Sequence, residues 1–139
     1  MKFLQLNFIP RSTDFALLVL RVWLGLTMLM VHGWAKLAGF SAMLKQFGDP
    51  IGIGPLPSLV LLVLAEVACS ALLVLGLFTR FAALALTIAM SVAFFSAHKM
   101  VLSGPASGEI AFLFLAGYVT LFFAGAGRFS VDRKLGGAA

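Results

Sequence analysis

Four apolar runs divide the chain: Phe15 to Val31, Ser58 to Phe78, Phe81 to Ala97 and Ile110 to Ala126. Each is close to the roughly 20 residues a helix needs to cross hydrocarbon. Runs of this length are too long for barrel strands, and inside a bilayer every backbone polar group has to be satisfied within the structure itself. The pattern predicts an all-α chain, a four-helix transmembrane bundle forming one integral membrane domain over residues 1–139, with both termini on one side. Composition agrees. With 62% hydrophobic and 11% charged residues and a mean hydropathy of +1.10, there is too little polar surface for a water-soluble core. A separate extramembrane domain, a nucleotide-binding loop and a soluble catalytic module are not expected.

The first run is not expected to be a cleaved signal, because it is long, carries Arg21 and leads directly into His32-Gly33-Trp34-Ala35-Lys36. Before it, Met1 to Ile9 reads as an amphipathic lead-in at the interface, with Ser12-Thr13-Asp14 as the cap of the first helix. Lys2, Arg11, Arg80, Arg128, Arg133 and Lys134 fall on the side of the termini and the second loop, against Lys36, Lys45 and Lys99 on the other. Basic excess marks the cytoplasmic face, so both termini are expected inside. The net charge of +5 is then a topology signal and a contact with anionic lipid, not a nucleic-acid surface.

Loop lengths make the two ends unequal. The Thr79-Arg80 turn is short enough to force an antiparallel hairpin, whereas the first loop is long, with Phe47-Gly48-Asp49-Pro50 and Gly52-Ile53-Gly54-Pro55-Leu56-Pro57 unable to continue a helix and Phe40 to Gln46 suited to a short interfacial one. Elaborated structure, including Ser103 to Gly108 in the third loop, lies at the end away from the termini. A site is expected there.

Glu66 is the residue that asks most for a reason, since an ionisable group in mid-membrane normally faces a partner, water or a transported species. Arg21, the one charge in the first run, is its expected partner, with snorkelling of Arg21 to the headgroups as the alternative. Such a pair can lock a bundle or also hold a ligand. Arg21, Gly25, Met28 and His32 share a face at 3.6 residues per turn, as do Thr87, Ser91 and His98, while Glu66 lies with Cys69 and Ser70. Glu109 opens the fourth helix, where the dipole favours an anion.

The candidate ligand-binding set is therefore Arg21, His32, Trp34, Lys36, Glu66, His98 and Glu109, with Glu66, His32 and His98 as candidates for handling protons. The first loop would cover a cavity walled by His32, Lys36, His98 and Glu109 and floored by Arg21 and Glu66. For Trp34, Lys36 and Lys99 the ordinary explanation is belt anchoring and snorkelling. A single cysteine excludes an internal disulfide and a Cys-x-x-Cys pair, and Cys69 reads as packing. Two histidines near one surface suit neither a tight metal site nor a core haem.

The stretch Leu20-Arg21-Val22-Trp23-Leu24-Gly25, followed by His32-Gly33-Trp34-Ala35-Lys36-Leu37, resembles the opening of the DoxX family of small four-helix membrane proteins. Ala65-Glu66, Leu75-Gly76-Leu77-Phe78-Thr79-Arg80, Ser107-Gly108-Glu109 and Gly127-Arg128-Phe129-Ser130-Val131-Asp132 follow in the same order as that family's later signatures. The resemblance implies a multi-pass protein of a prokaryotic plasma membrane, associated with quinone-coupled oxidation of sulfur compounds and with membrane oxidoreductase complexes. Three readings follow. The first is a redox-associated component binding a quinone or a small reductant, with no covalently held cofactor. The second is a non-catalytic subunit or assembly factor docking a partner protein, and the third is a small-solute or proton pathway that needs a homo-oligomer.

Overall fold

The computed structural model describes residues 8–136 together with Leu4 and Leu6; most of the expected lead-in, Met1 to Ile9, and the end of the tail lie outside them. All elements among the described residues are helical, with no strand. Helix α1, Thr13–Ala38, is capped by Ser12, whose hydroxyl accepts from the Phe15 N–H at 3.2 Å. It runs seven residues beyond the end of its apolar run, because nothing between His32 and Ala38 breaks a helix before Gly39. A short α2, Phe40–Leu44, follows where an interfacial helix was expected.

Helix α3, Pro55–Leu75, begins inside the segment read as unable to continue a helix. That segment does not continue one but starts one, since proline is tolerated in a first turn whose N–H groups have no helical partner. The cap comes from Asp49, whose carboxylate accepts from the Ile53 N–H (3.0 Å), the Gly54 N–H (2.8 Å) and the Ser58 hydroxyl (2.9 Å). The Gly54 N–H above all, with the Ser58 hydroxyl and Ile53 N–H, holds the Asp49 carboxyl below the usual carboxylate range.

Helices α4, Thr79–Ala97, and α5, Glu109–Ala124, complete the bundle, and α6, Val131–Lys134, lies after it. The first three long helices are long and apolar enough to cross a membrane. The fourth, α5, is apolar but has 16 residues, roughly 24 Å of helix against a hydrocarbon core of about 30 Å. α4 and α5 share the most extensive interface, and α1 packs along α3 and against α5. The core between them holds Met28, Leu73, Leu86, Phe114, Tyr118 and Leu121. Large apolar side chains such as Trp23 and Phe123 point outward, as a hydrocarbon solvent allows.

Two glycines in α1 set its register against α3. A Cβ on Gly25 would stand 3.0 Å from the Ser70 carbonyl oxygen, and one on Gly33 would stand 2.8 Å from the Glu66 carbonyl oxygen. Backbone this close admits no side chain, the same small-residue device that brings helices together in membranes. The helices are antiparallel, with Glu66 level with Gly33. Both residues lie in π-helical turns, Met28–Gly33 in α1 and Ala65–Cys69 in α3. A π-turn inserts one residue and rotates everything beyond it. The buried stripe of α1 is consequently Arg21, Gly25, Met28 and Gly33, and not the expected Arg21, Gly25, Met28 and His32.

The end bearing the termini is clasped by side chains that close off helix ends. α3 finishes in a Schellman turn: Gly76 N–H to Leu73 O at 3.1 Å and Leu77 N–H to Leu72 O at 3.0 Å, with Gly76 at φ +68°. Arg21 caps the same end, donating from Nη1 to the Leu73 (3.2 Å) and Val74 (2.6 Å) carbonyls and from Nη2 to the Phe129 carbonyl. Its guanidinium lies so close over Gly76 that a Cβ there would stand 2.8 Å from it. Asp132 receives the Phe78 (2.7 Å) and Thr79 (2.9 Å) N–H groups that open α4, and Asp14 receives the Arg128 N–H at 2.9 Å. Arg80 ties α4 to α5 through the Phe122 carbonyl at 3.0 Å.

Candidate functional site

The expected Arg21–Glu66 pair does not form. Arg21, 1% exposed, is spent on the carbonyls just described, and Glu66 is paired with Lys36. The reason is side-chain direction. Every Cα–Cβ bond tilts toward its own helix N-terminus. In antiparallel α1 and α3 this sends Arg21 toward the end bearing the termini and Glu66 toward the loop-bearing end. Arg21 also lies twelve residues from Gly33, so roughly 18 Å along the axis separates it from the level of Glu66. Arg21 does reach toward the termini, as snorkelling required, but it finds the α3 C-terminus and not the headgroups.

The same tilt brings Lys36 and Glu66 together. Lys36 lies about one turn beyond Gly33 and leans back into the bundle, while Glu66 leans up to meet it. Nζ is 2.7 Å from Glu66 Oε2 and 3.0 Å from Oε1, with the Lys36 side chain 20% and the Glu66 side chain 4% exposed. The ion pair is open at its lysine side and closed at its carboxylate side.

Two aromatic residues of α5 complete the surroundings. The half-buried His32 ring meets Phe114 edge-on at 5.7 Å and 85°, and Phe114 stacks on Tyr118 at 5.7 Å and 25°. Tyr118 is fully buried and its hydroxyl has no protein partner. The sequence reading did not single it out. The available signal was a lone tyrosine in the middle of an apolar helix, four residues after a phenylalanine.

The remaining expected site residues lie elsewhere. Trp34 is 63% exposed on the outside of α1. His98 Nδ1 donates to the Ala106 carbonyl at 3.0 Å, which commits the ring to the third loop, and Glu109 is exposed at the start of α5, where its N–H bonds to the Ser107 hydroxyl at 3.1 Å. The first loop does cover a cavity, but not the expected polar one. About 340 Å³ lies between α3 and α4 beneath Phe47, Pro50 and Ile51, against Ala65, Ala89 and Ala93, and none of the seven candidate residues lines it.

Apolar helices that pack by close glycine contacts around one buried ion pair define a helical membrane protein with an internal polar site. The chain belongs to the DoxX family, whose model matches residues 16–99. It is also 35% identical over 112 residues, 77% of this chain and 81% of the relative, to an uncharacterized protein of Haemophilus influenzae. No solved structure matches it. The matched region contains Arg21, His32, Lys36, Glu66 and His98, and leaves out α5 with Tyr118.

Proposed function

We propose that the protein is a redox-associated component of a prokaryotic plasma membrane that takes a quinone-like head group at the Lys36–Glu66 pair. The observation that carries this reading is the pair itself, an ammonium and a carboxylate 2.7 Å apart deep in an apolar bundle. Bundle stability alone is a weak reason for one, since well-packed apolar residues do as well or better. A ligand carbonyl suits the donors present. Lys36 gives two N–H groups to Glu66 and keeps a third, on a side chain that is 20% exposed. Glu66 or His32 would hold or release a proton beside the bound oxygen.

A titration of purified protein with a short-chain quinone analogue, followed by Trp34 fluorescence, tests this. Saturable binding is expected in wild type, with affinity lower by roughly tenfold to a hundredfold in Lys36→Met and Glu66→Gln, the range for a hydrogen bond to a charged group. Wild type that does not saturate, or variants that bind as wild type does, would end the proposal. A stable co-purifying protein would then move the partner-docking reading into its place.

We infer further that both termini are cytoplasmic. With Lys36 neutralised by Glu66, the loop-bearing end keeps Lys45 and Lys99 against Arg11, Arg80, Arg128, Arg133 and Lys134 at the other. Cysteines placed at Gly136, Ser41 and Ser103 in a Cys69→Ser background should react with an impermeant thiol reagent on intact cells at the two loop sites only. Labelling at position 136 with the loops protected would reverse the orientation.

A further inference from the structure

The cavity under the first loop is shaped by small side chains. Ala85, Ala89, Ala93 and Ala97 recur every fourth residue of α4 and form one low row along the helix. Leu61, Leu62 and Ala65 of α3 face the same space, which measures about 340 Å³. Its α4 wall runs from Ala85 to Ala97, roughly 18 Å of helix. Spread over that length, the volume is the width of one hydrocarbon chain and not of two.

The loop-bearing end of the cavity is roofed. Asp49, between Phe47 and Pro50, accepts from the Ser58 hydroxyl at 2.9 Å and from the Ile53 and Gly54 N–H groups, which holds the roof down on α3. Of the lining residues only Ser58 has a polar side chain, and its hydroxyl is spent on Asp49. Water finds no partner in such a space, and left empty the walls would forfeit dispersion contacts. The side is open, since Leu61 and Ile88 line the cavity and are 52% and 57% exposed. On membrane-spanning helices that exposure meets hydrocarbon, so a lipid chain can enter sideways.

Two cations mark where its head group would lie. Lys99 comes two residues after Ala97 and Lys45 two residues before Phe47, so each backbone is within about 7 Å of a lining residue. Both lysines are exposed and form no ion pair among the described residues, and the acid of the roof, Asp49, is occupied by its three donors. We propose that the cavity between α3 and α4 binds one acyl chain of an anionic phospholipid, with the phosphate at Lys45 and Lys99. The site is separate from the Lys36–Glu66 pair, neither residue of which lines it.

Native mass spectrometry of the full chain in detergent tests this, by titration with phosphatidylglycerol and with phosphatidylcholine of the same chains. Wild type should retain one phosphatidylglycerol, held about fivefold or more tightly than phosphatidylcholine, and Lys45→Gln/Lys99→Gln should remove that preference. Ala89→Leu, which fills the cavity, should weaken phosphatidylglycerol about tenfold or more, the effect of displacing a few methylenes. In lipid-free detergent it should melt no lower than wild type, because the new side chain enters open space. Ala93→Leu is read in the same way should Ala89→Leu not fold. Leu26→Phe, on the outer face of α1, should bind as wild type does. Equal retention of the two lipids in wild type, a preference that survives Lys45→Gln/Lys99→Gln, wild-type binding in the filled variants, lowered midpoints in both of them, or the same loss in Leu26→Phe would each overturn the proposal. Displacement of phosphatidylglycerol by an equal amount of farnesyl phosphate would also overturn it and assign the cavity to an isoprenoid chain. Quinone binding at Lys36 and Glu66 enters none of these outcomes, so the two proposals fail separately.

Discussion

Lys36→Met is expected to destabilise the bundle by about 3–5 kcal/mol, because it strands the Glu66 carboxylate in the core without its cation. Glu66→Leu should cost less. It leaves the ammonium of Lys36, whose side chain is 20% exposed and whose flexible stem can carry the charge outward. The double variant Lys36→Met/Glu66→Leu should be milder than the sum of the two, since no lone charge remains. Thermal unfolding in nanodiscs at fixed lipid composition measures all three. A double variant as damaged as the sum of its parts would mean that the two side chains do not interact. The pair Arg21→Leu and Glu66→Leu, by contrast, should be additive, because the residues share no partner and are separated along the bundle.

Arg21→Leu is the second large loss to expect. Three carbonyls, of Leu73, Val74 and Phe129, give up a charged donor, and hydrogen bonds to charged groups contribute about 1.5–3 kcal/mol each. Part of that returns when water reaches the frayed end of α3, so a net loss of about 3 kcal/mol or more is expected. The C-terminal segment should also loosen, because Arg21 holds it through Phe129 while Asp132 holds it through the start of α4. Limited proteolysis should cut between Gly125 and Leu135 faster in Arg21→Leu than in wild type. Arg21→Lys should recover only part of the difference, because a point-like ammonium cannot fork between α3 and the Phe129 carbonyl. Wild-type stability together with wild-type protease resistance in Arg21→Leu would remove the clasp from the account.

Two groups among the signatures that run in order along the chain come apart once they are placed. Gly76 and Asp132 belong to the clasp at the end bearing the termini: one needs a left-handed backbone under a guanidinium, and the other caps the start of α4. Gly33, Lys36 and Glu66 belong to the polar site. Adjacent in sequence or not, these residues are held by two different demands.

From the sequence alone came the helical class, the apolar segments, the short α2, the cap at Ser12 and Glu66 as a charge inside an apolar helix, because hydropathy and capping are local properties that a window of residues contains. The partner of Glu66 was not local. It depended on α1 continuing past its apolar run to Ala38, on two glycines that set the depth of α1 against α3, and on π-turns that move Gly33 into the stripe expected for His32. It depended also on the opposite tilt of side chains on antiparallel helices, which parts Arg21 from Glu66 and joins Lys36 to it. Tyr118 came beside Phe114 and His32 by packing alone, since nothing in the spacing of α5 says which face meets α1. Charge and hydropathy place residues at a depth, but only the register and rotation of packed helices decide which of them touch.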